Sequence, residues 1–247
     1  MIGLSLIGIG TGNPDHLTRA AICAMNDADL ILLPRKGEAK SDLLDLRRTI
    51  CADVLTGPVS IAEFDMPSRA ERGNYVDGVM EWHDAIAAIW MEQIALHLPK
   101  GGTVALLVWG DPSLYDSSLR IAERLGSSVE VNVIPGITSI QALTAAHGIC
   151  LNRLADPVLI TTGRQLREGG WPNGVRDIVV MLDGHCAFQT LGPEKLTIWW
   201  GAYLGMDHQA LANGPLAVAG PEIIERRAAL RHRHGWIMDV YLLRQDA

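Results

Sequence analysis

The chain has 247 residues, 48% of them hydrophobic, enough to build one large globular domain or two modest ones. A formal net charge of −7 argues against a general affinity for nucleic-acid backbones, which needs a basic face, and no run of about eighteen apolar residues is present to cross a membrane. Cys23, Cys51, Cys150 and Cys186 are far apart and form no C-x-x-C or Cys/His pair, so neither a disulfide framework nor a metal site is indicated. The first residues, MIGLSLIGIGTG, lack a basic stretch ahead of the apolar run, so the expectation is a soluble, unprocessed, cytoplasmic protein.

Residues 4–9 read as a strand, and Gly10-Thr11-Gly12-Asn13-Pro14-Asp15 as an irregular loop after it. A helix over 17–28 follows, with Leu17, Ala21, Ala24 and Ala28 on one side, then a strand over 28–33. Such a β-loop-α-β start predicts a parallel sheet. The glycine-rich loop suggests a dinucleotide site, but Asn13 stands where the third glycine is required. Strand two also ends in Pro34-Arg35-Lys36 instead of an acidic residue, so that site is rejected. Among the basic residues that follow, Arg47 and Arg48 read as a solvated helix face. Arg35 and Lys36 read as groups that receive substrate carboxylates beyond the end of strand two. Residues 79–98 form a long helix with Val79, Trp82, Ile86, Trp90 and Ile94 on its apolar face. His83 and His97 on it read as surface or core-edge groups, since no second ligand follows at i+4.

Residues 104–108 are continuously apolar, as suits a strand covered on both faces. Asp111 and Pro112 then read as the N-cap and first position of a helix on which Leu114, Ser118, Ile121 and Leu125 share a face. Ligands bind at this edge in open α/β sheets; Gly110 permits close approach to the backbone, while Asp111 and Tyr115 offer polar groups. The competing account is an ordinary strand-to-helix turn. A further strand is expected over 129–134, leaving through Pro135-Gly136-Ile137-Thr138-Ser139 into a helix capped by Thr138 and closed by Gly148. If the two strands are neighbours, their exit loops line one cleft. Residues 152–157 look like a linker, dividing the chain into domains 1–151 and 152–247. Short strand-like runs at 157–162, 177–182, 197–203, 216–220 and 236–243 predict a second α/β lobe with a mixed sheet. The basic run 225–234 reads as a solvated helix face.

Three motifs occur in a fixed order: Gly8-x-Gly10-x-Gly12-Asn13-Pro14-Asp15-x-Leu17-Thr18, Gly110-Asp111-Pro112-x-x-Tyr115, and Pro135-Gly136-Ile137-Thr138-Ser139. Together they resemble the tetrapyrrole methylases, the class III S-adenosylmethionine-dependent methyltransferases of corrin and sirohaem synthesis. The likeness also runs through 105–125, 133–146, 180–185, 198–206 and 235–244. It implies a two-lobed α/β fold, an N-terminal parallel-sheet lobe followed by a C-terminal mixed-sheet lobe, in a homodimer. It further implies S-adenosylmethionine in the cleft between lobes, held mostly by backbone groups and leaving as S-adenosylhomocysteine.

Carried over by position, the cofactor contacts are Trp109, Gly110, Asp111 and Leu114, then Thr138 and Ser139, with Met181 and Gly214 from the second lobe. The family often has a second glycine where this chain has Trp109, a change that a backbone contact tolerates. The implied substrate is a small-molecule tetrapyrrole rich in carboxylates, for which Arg35, Lys36, Arg69, Arg72, Arg153 and Arg164 are the candidates. Asp111 and Tyr115 are the candidate catalytic groups, being the polar side chains nearest the turn. Methyl transfer is an in-line displacement that needs alignment and exclusion of water more than a strong base. Other branches of the family act on ribosomal RNA or on a protein in the diphthamide pathway; the negative charge weighs against RNA. A carrier that merely holds a tetrapyrrole would present His or Cys as a metal ligand, and none is evident.

Overall fold

The computed structural model describes residues 1–35, 41–68 and 75–246. Its first sheet is built from β1 (Ile2–Gly8), β2 (Leu30–Arg35), β3 (Ser60–Asp65), β4 (Gly102–Val108) and β5 (Val129–Ile134) in the order β3-β2-β4-β1-β5, with every pair parallel. Along β4 the side chains alternate between two cores. Val104, Leu106 and Val108 pack with Ile86, Trp90 and Ile94 of α3 (Tyr75–His97). Ala105 and Leu107 pack with Ala21 and Met25 of α1 (Arg19–Asn26) and with Leu44, Ile50 and Cys51 of α2 (Ser41–Val54). Helices on both faces explain why this strand is apolar without alternation.

The helix expected from Pro112 does not start there. α4 (Ser118–Ala122) is a short helix beginning at Ser118, followed by a 3-10 segment, Glu123–Ser128, in which Gly126 takes a φ of 73°. Leu114 therefore lies in the turn ahead of the helix. The Thr138 expectation is met: its hydroxyl accepts from the Ile140 N–H at 3.2 Å and forms a capping box with Gln141 at the start of α5 (Ser139–His147), and Gly148 closes that helix with a left-handed φ of 62°.

The second sheet contains β6 (Val158–Thr162), β7 (Asp177–Met181), β8 (Leu196–Ala202), β9 (Ala210–Pro215) and β10 (Asp239–Gln245) in the order β6-β7-β10-β8-β9. β6 and β7 are parallel and the other pairs antiparallel, giving the expected mixed sheet. Residues 216–220 are not a strand. They open α7 (Leu216–His234), while the strand lies just before it as β9, at the sheet edge where Gly214 and Pro215 are tolerated. α6 (Gly163–Gly169) connects β6 to β7.

The chain divides into two compact units, Met1–Gly10 with Pro14–Ile137, and Thr11–Asn13 with the residues from Thr138 onward. The division falls ahead of residues 152–157 because α5 packs against β8 and β10. Among the described residues no helix is long and apolar enough to cross a membrane.

Candidate functional site

The carboxyl ends of β4, β1 and β5, neighbours in the first sheet, meet through glycines. Gly110 N–H donates to the Gly10 carbonyl at 2.8 Å, and Gly10 N–H returns a bond to the Gly110 carbonyl at 3.2 Å. A Cβ added to Gly8 would lie 2.6 Å from the Gly136 nitrogen and 2.8 Å from the Gly110 oxygen; one on Gly136 would run into the Gly110 carbonyl. Main chain thus packs on main chain. Gly110 is different: its φ of 70° favours glycine, and a Cβ placed there meets nothing within 4 Å. Glycine leaves the space over this turn open.

Asp111 fixes the turn beside this open space and is 8% exposed. Its Oδ1 accepts from the Ser113 N–H at 2.8 Å and the Ser113 hydroxyl at 2.5 Å, and its Oδ2 accepts from the Gly136 N–H at 2.8 Å. The carboxylate therefore ties the exit of β4 to the exit of β5, and this tie replaces the expected helix cap. Burial pushes the carboxyl up, but the bonds from Ser113 and Gly136 outweigh it and hold the group below its ordinary value. Asp111 is thus an anion at neutral pH with both oxygens engaged. Leu114 N–H donates to the Asp111 carbonyl at 3.2 Å, and Trp109 is half-buried. Tyr115 has a φ of 51° and is 43% exposed, and burial raises its phenol above the ordinary value, keeping it protonated.

Trp109, Gly110, Asp111, Leu114 and Tyr115 are brought together on this one turn, joined to Gly136. The other cofactor candidates belong to the second unit. Thr138 and Ser139 stand at the start of α5, Met181 is the half-buried last residue of β7, and Gly214 lies in β9 opposite Ile198 with a φ of 143°. Of the carboxylate candidates, Arg35 is bound by Asp65 through two bonds of 2.9 Å, and Arg153 by the fully buried Asp177 at 3.3 Å. Arg164 is exposed in the first turn of α6. Lys36, Arg69 and Arg72 lie outside the described residues.

Two arginines depart from the solvated-face reading. Arg47 is 7% exposed; its Nε donates to the Leu107 carbonyl and its Nη1 to the Leu43 carbonyl, each at 3.0 Å. Arg48 beside it is exposed and held by Glu63 and Asp45, as expected of a surface residue. Arg227 is 9% exposed and bonds Asp239 at 2.8 Å and the Asp183 carbonyl at 2.9 Å. The Asp183 carboxylate in turn accepts from the Tyr241 hydroxyl at 2.6 Å and the His185 N–H at 3.0 Å, fixing the turn that follows Met181. A signal for both arginines was present: Leu44, Arg47 and Cys51 share a helical face, as do Ala219, Ile223 and Arg227. His83 is a core residue, 2% exposed, with neither ring nitrogen hydrogen-bonded among the described residues, and burial lowers its pKa. Among the described residues no group of three His, Cys, Asp or Glu side chains could hold a metal ion.

Comparison with known proteins agrees with this architecture. Residues 3–219 match the family model of tetrapyrrole (corrin/porphyrin) methylases. A precorrin-6A synthase [deacetylating] of Sinorhizobium sp is 48% identical over 248 residues, covering 98% of this chain and 95% of the relative. The crystal structure of the cobalamin-synthesis-related protein CobF of Corynebacterium diphtheriae superposes with a TM-score of 0.85 at 40% identity, over 100% of both chains. A uroporphyrin-III C-methyltransferase of Thermus thermophilus, solved with S-adenosyl homocysteine, shares the fold at a TM-score of 0.59 and 17% identity, covering 97% of this chain and 96% of that one. The parallel-plus-mixed sheet pair, the three ordered glycine motifs and these likenesses together assign the chain to the tetrapyrrole methylase family.

Proposed function

We propose that the chain is an S-adenosylmethionine-dependent C-methyltransferase of cobalamin biosynthesis that methylates precorrin-5 at a ring carbon and releases acetate, giving precorrin-6A. The observation that carries this reading is the 48% identity to a deacetylating precorrin-6A synthase along nearly the whole of both chains. The geometry supports it, because the open face of Gly110 suits a cofactor lying against main chain. When bound, S-adenosylmethionine supplies a methyl group on a positively charged sulfonium, an electrophile that needs no further activation.

Trp109, Gly110 and Leu114 are the proposed cofactor contacts of the first unit, and the family likeness makes Thr138, Ser139, Met181 and Gly214 the candidates of the second. Asp111 acts as a positioning residue: it is held ionised by Ser113 and Gly136, so it fixes the turn and has no proton to donate. Tyr115 remains protonated and offers a hydrogen-bond donor to the acetyl carbonyl as water adds to it. The bond from ring carbon to acetyl breaks with its electron pair kept by the macrocycle, which gains the methyl group, and the acetyl group leaves as acetate, with two protons released over the whole reaction. The reading includes a homodimer in the cytoplasm, where its four free cysteines persist as thiols, acting on a small-molecule tetrapyrrole and not on nucleic acid.

Incubation with methyl-labelled S-adenosylmethionine and precorrin-5 is expected to yield one labelled methyl group and one acetate per turnover; label without acetate would refute the deacetylating assignment. Calorimetry with S-adenosylhomocysteine tests the cofactor site. Binding is expected in the native chain and lost in Gly110→Val, whose side chain enters the open space over the turn, while unchanged affinity would move the cofactor elsewhere.

A further inference from the structure

β2 and β4 are neighbours, yet their onward connections diverge, β2 leading to β3 at one edge and β4 passing β1 to reach β5 at the other. Divergence between adjacent parallel strands opens a crevice at their carboxyl ends, where open α/β sheets place ligands. The pairing of β2 with β4 stops short of their ends. β2 and β4 stay in register only to Leu32 and Leu106, whereas β2 remains paired with β3 as far as Arg35, and β4 with β1 as far as Val108. The Leu107 carbonyl, just past the point of separation, accepts from Arg47.

Among the described residues Arg47 occupies this position without an ion-pair partner. Two of its nitrogens are taken by neutral carbonyls, and among the described residues no carboxylate forms an ion pair with it. Asp116 acts on it only through space, with its own Oδ1 accepting the Ser118 N–H at 2.6 Å. Burying a cation without a counter-charge is costly, and Arg227 shows that this chain supplies a direct partner, Asp239, where an equally buried guanidinium has a structural task. Burial lowers Arg47 to about 10, so it is still charged at neutral pH. A buried, charged fork at the carboxyl edge of a parallel sheet is suited to a planar carboxylate.

We propose that Arg47 is a binding residue for a carboxylate of the tetrapyrrole substrate, received in the crevice between the ends of β2 and β4. The assignment rests on the corrin-methylase reading. It differs from the expectation for Arg35 and Arg153, whose guanidinium groups already have carboxylate partners. The cofactor's amino-acid portion also carries a carboxylate, so the test separates the two sources.

Affinities for a stable corrin polycarboxylate, its methyl ester and S-adenosylhomocysteine are measured in the full-length native protein, Arg47→Met and Arg47→Lys. In Arg47→Met the polycarboxylate Kd is expected to rise about tenfold to hundredfold, with the ester and S-adenosylhomocysteine unchanged. Arg47→Lys, which keeps a charge but loses the fork, is expected to fall between the two, and it carries the test if Arg47→Met does not fold. Equal losses for acid and ester, loss of S-adenosylhomocysteine instead, or unchanged acid binding overturns the proposal. A native protein that binds S-adenosylhomocysteine but no corrin polycarboxylate refutes the substrate reading together with it. A native protein that binds both, with variants that do so equally well, refutes only the role of Arg47.

Discussion

The carboxyl edge of the first sheet and the turn after β7 in the second are both held tightly, by opposite means. At the first, glycines bring main chain onto main chain, and one carboxylate closes the arrangement by accepting from Ser113 and Gly136. At the second, side chains do the holding: Asp183, Tyr241, Arg227 and Asp239 form a buried chain of charged and polar contacts, with Trp200 donating to Asp239 at 2.9 Å. Burial and the adjacent Asp183 carboxylate drive the Tyr241 phenol upward, so it donates and does not ionise. The contrast shows how a site can be rigid without being filled. Backbone packing leaves the space over Gly110 free, whereas a side-chain network occupies the volume it orders.

Three substitutions sharpen the contrast. Gly136→Ala forces a Cβ into the Gly110 carbonyl and is expected to destabilise the fold by more than about 4 kcal/mol, read from chemical denaturation; a native-like midpoint would mean the loops can part. Arg227→Met removes the counter-charge of Asp239, which keeps the Trp200 N–H, and the donor to the Asp183 carbonyl, and is expected to cost about 3–5 kcal/mol by the same measurement. A loss under about 1 kcal/mol would place this pair with ordinary surface bridges.

Asp111→Ala removes the tie between two exit loops at an expected cost of about 1–3 kcal/mol. Its pH dependence follows from the depressed carboxyl. The stabilisation is complete above the ordinary carboxylate pKa, about 4, and fades as pH falls through the lower folded value. Native protein and variant should therefore converge in stability in strong acid. A constant gap down to low pH would show that the carboxylate's charge is not what stabilises the turn.

Much of this was legible in the residues. The unbroken apolar run at 104–108 and the Thr138 cap with its closing Gly148 depend on local pattern, and the structure keeps them. The helix expected at Pro112 failed for a tertiary reason: Asp111 is engaged by Gly136, a loop far away in sequence, and no reading of 111–115 alone contains that partner. Residues 216–220 were ambiguous because a short apolar run fits either a strand or a buried helical turn. β9, with its Asn213, Gly214 and Pro215, carries little strand propensity and takes its conformation from pairing with β8. Arg47 and Arg227 lie in phase with the apolar stripes of their helices, a sign of burial that counting basic residues as a cluster conceals.

The order of strands in the second sheet has a consequence for synthesis. β10, the latest of its strands in sequence, is the central one, with β7 on one side and β8 on the other. Until it emerges, the β6–β7 pair and the β8–β9 pair have no common partner, and each exposes an edge that will later be covered. The sheet therefore cannot close until this strand has been made, and its unpaired edges are open to wrong pairing until then. A nascent chain stopped before Asp239 should be protease-sensitive across the whole second unit, not merely at its end.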